Sequence, residues 1–155
     1  MIEPLRIAVD LECDATHAFE TWAQRFGQWW PRGHTMSGED TATVHLEPRL
    51  GGRIFERTGD GREIEWGEIT VWEPPVRLAY RWHIRRERVD ATDVELTFVD
   101  RGHDRSRLEI VHGGWERLAD GPAWRDANRG GWAGLLPHFA AACSADDQSD
   151  QREER

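Results

Sequence analysis

Four stretches of this chain repeat one pattern, and that pattern restricts the fold more than any other feature. "LRIAVDLE" sets Leu5, Ile7, Val9 and Leu11 on one face. "RLAYRWHI" does the same with Leu78, Tyr80, Trp82 and Ile84, "DVELTFV" with Val94, Leu96 and Phe98, and "RLEIVH" with Leu108, Ile110 and His112. A period of two is a strand with one face in the core. The expected core set is Leu78, Tyr80, Trp82, Leu96, Phe98, Leu108 and Ile110, with Arg81, Glu95 and Glu109 exposed or paired. A slip of one residue would invert every assignment.

Three further runs, "TATVHLEP", "GGRIFERT" and "EIEWGEITVW", also read as strands. "GDG" at 59–61 signals a hairpin, Gly67 a bulge, and Pro74 with Pro75 a turn. Hairpin-linked strands form an antiparallel sheet. After "HGGW" the period changes. "AWRDANRGGWAGLLPHFAAAC" reads as a long helix with Trp124, Trp132, Leu135, Leu136 and Phe139 as its apolar positions. Gly130, Gly131, Gly134 and Pro137 would weaken it in isolation, so packing must hold it. The glycines are read as allowing close approach to the sheet.

Between the first two strands lies "CDATHAFETWAQRFGQWW". Asp14 fits an N-cap. Phe19, Trp22 and Phe26 form a helical stripe, in one helix or two short ones, with a break at Gly27 and an end at Pro31. A proline pushes the residue before it out of the helical region. Trp29 is therefore expected as the last helical residue, in the core, and Trp30 at the rim of a cavity. The order of strand, short helices, six strands and long helix gives an α+β domain over 1–143. A polar tail over 144–155 is expected to be disordered.

Composition excludes more than it identifies. The formal net charge is -9. No basic surplus exists for nucleic acid or an anionic membrane. No apolar run spans a bilayer, and "MIEPLRIAVDLE" has no signal-peptide block. Cys13 and Cys143 read as two thiols of a cytoplasmic protein. There is no GxSxG, no phosphate-binding glycine loop and no histidine or cysteine pair at metal-ligand spacing. No metal or cofactor is expected. "HGGW" reads as a strand ending in a tight turn.

Glu56 shares the parity of Ile54. With Tyr80 and His112 it could place a carboxylate, a phenol and an imidazole inside an apolar cavity, able to orient a ligand or move a proton. The alternative is that Glu56 pairs with Arg53 or Arg81 and the other two are satisfied core residues. Trp66, Trp82, Trp132 and Phe139 could line a pocket or fill a core. "HIRRERVD" reads as a solvated loop, with an anion or partner site as the alternative.

"WW", "LEPRLGGRIFE", "WGEITVWEPPVRLAYRW", "LEIVHGGW" and "GGWAGLLPHF" occur in that order over most of the chain. Together they resemble the START-like (SRPBCC, Bet v 1-like) superfamily, in the branch named for activator homologues of a heat-shock-chaperone ATPase. The resemblance implies a helix-grip fold: a curved antiparallel sheet of about six or seven strands around the long C-terminal helix. It implies a small hydrophobic or amphipathic ligand between sheet and helix, near Trp30, Glu56, Trp66, Tyr80, Trp82, Phe98, His112, Trp132, Leu136 and Phe139. Two alternatives belong to the same superfamily. One is a cyclase or dehydratase with Glu56, Tyr80 and His112 as acid–base groups. The other is a co-chaperone acting on an ATPase. Open sheet edges and surplus tryptophan are compatible with a homodimer.

Overall fold

The computed structural model describes the backbone over residues 2–153 and the side chains over 2–145. β1 (Leu5–Leu11) leads into α1 (Ala15–Gln24) and α2 (Phe26–Trp29). Then come β2 (Thr43–Leu46), β3 (Arg53–Arg57), β4 (Glu63–Glu73), β5 (Arg77–Trp82), β6 (Thr92–Asp100), β7 (Ser106–Gly113) and α3 (Gly121–Glu153). The strands form one curled antiparallel sheet in the order β1-β7-β6-β5-β4-β3-β2. Every neighbouring pair is a hairpin except β1 with β7, which joins the first strand to the last. The fold is the expected α+β helix-grip arrangement.

The period-two reading places the inward face of β5, β6 and β7, whereas in β3 Ile54, Phe55 and Glu56 are all buried. All seven residues of the expected core set are buried. Arg81 and Glu109 are exposed, while Glu95 is half-buried and accepts from the Arg77 Nε at 3.0 Å. Pairing brings like faces into rows: Leu78 opposes Leu96, which opposes Ile110; Tyr80 opposes Val94, which opposes His112. Such cross-strand pairs are the unit of sheet stabilisation.

The bulge expected at Gly67 lies beside it. Ile54 pairs with Gly67 and Phe55 with Glu65, which leaves Trp66 as the extra residue. A Cβ on Gly67 would sit 2.2 Å from the Arg81 carbonyl oxygen, so only glycine fits there. A second irregularity separates Ile69 from Val71 against β5. The first shift lets Trp66 and Ile69, of opposite parity, both enter the core, and the second, after Ile69, precedes Trp72, which packs against that core.

The helical segment is two helices, and the break is not where the glycine suggests. Arg25 interrupts it at φ -115 and ψ 22, while Gly27 lies inside α2. A Cβ on Gly27 would fall 2.2 Å from the Val44 carbonyl oxygen, so this glycine lets α2 lie directly on β2. Asp14 caps α1 by accepting the His17 N–H at 2.7 Å. Trp29 ends α2, and Trp30 is extended at ψ 125, as the proline after it requires. Both tryptophans are buried.

On α3, Trp132, Leu136, Phe139 and Cys143 form one buried stripe at helical spacing. Gly130, Gly131 and Gly134 correct another expectation. A Cβ on any of them would meet nothing within 4 Å, so none serves a close approach to the sheet. The polar tail expected over 144–155 lies mostly beyond the described side chains; the helical backbone is described as far as Glu153. Cys13 and Cys143 are both buried. Among the described residues no helix is long and apolar enough to cross a membrane.

Candidate functional site

A cavity of about 250 Å³ lies between the end of β5 and the first half of α3. Trp30, Tyr80, Trp82 and Trp132 are its buried walls; Trp124, Asn128 and Leu135 are half-buried; His34 and Arg85 stand at its exposed rim. Each wall has a local cause. Alternation along β5 turns Tyr80 and Trp82 inward. The helical repeat places Trp124, Asn128 and Trp132 on one stripe of α3. Pro31 turns the chain at Trp30, whose indole N–H donates to the His34 carbonyl at 2.7 Å.

Tyr80 is 2% exposed, and no hydrogen bond joins its hydroxyl to any described residue. It lines the cavity instead. Burial pushes its phenol well above the usual range, so it stays protonated and able to donate.

His112 stands behind the walls. Its Nδ1 accepts the Trp132 indole N–H at 3.0 Å. Its Nε2 therefore carries the proton and donates to the Thr92 Oγ1 at 2.7 Å. The Thr92 hydroxyl donates in turn to the Trp82 carbonyl at 3.3 Å. This chain ties two cavity walls, Trp132 and Trp82, to the sheet through a neutral imidazole. The Trp115 indole donates to the His112 carbonyl at 2.9 Å and its ring lies 4.3 Å from the imidazole. Burial pushes the His112 pKa down to about 3.

Glu56 is fully buried and its carboxylate is saturated. It accepts the Met36 N–H at 2.5 Å, the Ser37 N–H at 3.3 Å, the Ser37 hydroxyl at 2.7 Å and the Trp66 indole N–H at 3.0 Å. Its partners are not Arg53 or Arg81. Arg53 bonds Glu47 and Glu63, and Arg81 is exposed. Glu56 fastens the segment after Trp30 onto the sheet.

Of the three acid–base candidates, Tyr80 alone lines the cavity; Glu56 and His112 are engaged outside it. The aromatic candidates also divide. Trp30, Trp82 and Trp132 line the cavity, whereas Trp66, Phe98, Leu136 and Phe139 pack in the core. Trp66 lies behind Trp30 at 5.2 Å between ring centroids, and Phe98 meets Phe19 at 5.4 Å. Sequence reasoning missed His34 and Asn128, and reached Arg85 only within "HIRRERVD", where an anion or partner site was the alternative to a solvated loop. Asn128 was within reach, since it falls four residues from both Trp124 and Trp132.

A larger groove, about 520 Å³, runs between α2, the 31–43 segment and β2. About half of its lining residues are polar or charged, and of the candidates it shares only Trp30. The smaller aromatic cavity is the chemically defined site. Among the described residues no cluster of three or more His, Cys, Asp or Glu side chains could hold a metal ion.

The sequence profile of the activator of Hsp90 ATPase homolog 1-like proteins matches residues 13–144. No curated protein matches the chain. Among solved structures, an anthrahydroquino-gamma-pyrone synthase, Txn09, in its complex with SUM, is 31% identical. The likeness covers 91% of this chain and 97% of that one, with a TM-score of 0.64. A self-sacrificing resistance protein, CalC from Micromonospora echinospora, is 23% identical over 93% and 96% of the two chains, with a TM-score of 0.67. An HSP90 activator from Plasmodium falciparum is 15% identical over 72% and 73%, with a TM-score of 0.52. The last two share the fold and carry no more than that. With its seven-stranded sheet, its gripping C-terminal helix and a profile match over most of its length, this chain belongs to the family of activator of Hsp90 ATPase homolog 1-like proteins.

Proposed function

We propose that this protein binds a small, flat, amphipathic molecule in the cavity between β5 and α3. The observation that carries this reading is Tyr80, which lines a cavity walled by tryptophan and whose hydroxyl makes no hydrogen bond to a described residue. Indole walls favour flat rings in offset or edge-on contact. One unspent donor among them supplies orientation. A ligand oxygen meeting Tyr80 gains a hydrogen bond that the protein alone does not make.

Calorimetric titration with hydroxylated polycyclic aromatics such as 1,8-dihydroxyanthraquinone tests the reading. Tyr80→Phe should weaken binding about tenfold, the value of one hydrogen bond, while leaving the fold unchanged. Failure of the native protein to bind any of a broad panel of such molecules would sink it.

A second reading, an enzyme that closes or dehydrates a ring, is favoured by the 31% identity to Txn09 over nearly all of both chains. Tyr80 would then donate its hydrogen bond to an oxygen on which negative charge develops. Glu56 and His112 would act through the walls they hold. Turnover of a polyketide-type quinone precursor that persists unchanged in Tyr80→Phe would remove Tyr80 from that role.

A further inference from the structure

We propose that the molecule held in the cavity carries an anionic group, a carboxylate or an ionised phenol, and that Arg85 at the mouth selects for it. This rests on the cavity being the binding site. Three arginines follow β5 closely, and two are already engaged. Arg86 pairs with Asp120 and lies over the Trp124 ring at 4.3 Å. Arg88 bonds Glu68 at 2.6 Å and approaches Glu65 at 3.7 Å. Arg85 has no carboxylate within 4 Å among the described residues, and it lines the cavity. Glu87 and Asp90 border the adjoining surface groove that Arg85 also lines, but neither pairs with it.

The surroundings make this cation conspicuous. The chain has 29 acidic residues against 20 basic ones. Yet no Asp or Glu lines the cavity, and Arg85 is its one residue of fixed charge among those described. The Asn128 amide already donates to the Trp124 carbonyl at 2.8 Å. Arg85 also stands at φ 65, a left-handed conformation uncommon outside glycine. The strand direction ends in this turn, and the residue at the turn is the one presented to the mouth. Indole walls, a phenol donor within and a guanidinium at the rim together fit a ring system that ends in an anion. Guanidinium meets carboxylate through two parallel hydrogen bonds, a geometry no neutral group reproduces.

The test compares 2-naphthoic acid with 2-naphthamide on the full chain. Calorimetry and the shifts of the tryptophan indole N–H signals provide the readouts. The native protein should bind the acid about tenfold more tightly at low salt, and the preference should shrink as salt rises. Arg85→Gln should bring the acid down to the affinity of the amide and leave amide binding unchanged. Equal binding of acid and amide by the native protein, or an equal loss of both in Arg85→Gln, overturns anion selection and leaves the cavity reading standing. Binding of neither probe overturns the cavity reading and anion selection with it.

Discussion

Two aromatic clusters meet at α2 and use the same residues to opposite ends. In the first, Trp22, Trp29 and Phe139 lie ring against ring, with centroids 4.8, 4.9 and 5.2 Å apart. In the second, Trp30, Tyr80, Trp82 and Trp132 line a cavity. Each cluster holds one polar atom with no hydrogen bond to a described residue. In the first it is the buried Trp22 indole Nε1, in the second the hydroxyl of Tyr80, a residue that lines the cavity. The Trp22 nitrogen is buried, and leaving it unpaired costs roughly 1–3 kcal/mol. The Tyr80 hydroxyl has space in front of it. An unspent donor is a cost in a packed cluster and a means of recognition beside a cavity. Trp29 and Trp30 are neighbours in sequence and belong to different clusters.

The strongest way to break this division is to truncate the two neighbours. Trp29→Ala should lose about 3–5 kcal/mol in chemical denaturation, the range for a large buried aromatic. Trp30→Ala should lose less stability and more ligand affinity. If Trp30→Ala is the more destabilising of the two and binding is untouched, both tryptophans are core and the division fails.

Acid should act on the cavity side through His112. Its folded pKa is lowered to about 3 from an ordinary value of 6.5. Below that ordinary value the unfolded chain takes up a proton that the folded protein refuses. This contribution to stability is complete above pH 6.5 and is lost as the pH falls, by roughly 1.4 kcal/mol per unit, until about pH 3. Between pH 6.5 and 5 the loss should reach about 2 kcal/mol. Denaturation curves of His112→Asn should lack this slope over the same interval. An unchanged slope would show that the imidazole is not what couples the cavity walls to pH.

The smallest effect sharpens the contrast along α3. Its buried stripe serves both clusters, but Gly130 and Gly134 face open space. Gly130→Ala and Gly134→Ala should each raise stability by about 0.5–1 kcal/mol in thermal melts, the propensity gain alone. A fall in stability would mean that something on the far side of the helix depends on the missing side chains.

The sheet was legible because its information is local and periodic. Alternation in β5, β6 and β7 identifies the buried face without knowledge of what covers it. The same parity correctly put Glu56 and His112 inside, both fully buried. Parity names a side of the sheet and not a partner. The amides that hold Glu56 come from 36–37, a segment with no period, and the donor to His112 comes from α3. Glycine misled twice for the same reason. The freedom of Gly27 looked like a helix break, when its use was to admit the Val44 carbonyl. The glycines of α3 looked like an approach to the sheet, when a Cβ on any of them would meet nothing within 4 Å. His34 and Arg85 lie in loops, where neither period nor propensity marks a wall of a site.

The pairing of β1 with β7 has a consequence in time. β1 is the first strand to leave the ribosome, and its sheet partner is the last strand to be made. Through most of synthesis β1 has an apolar face with nothing to cover it and backbone groups with no ladder to join. Non-local pairings of this kind close late and slowly. An unpaired strand edge is open meanwhile to other chains. The hairpins from β2 to β7 can assemble as each emerges, and completion of the sheet waits on the arrival of β7. The interval of greatest exposure to aggregation is thus set by strand order, and shortening it would mean moving β1 next to β7 in the sequence, as a circular permutation does.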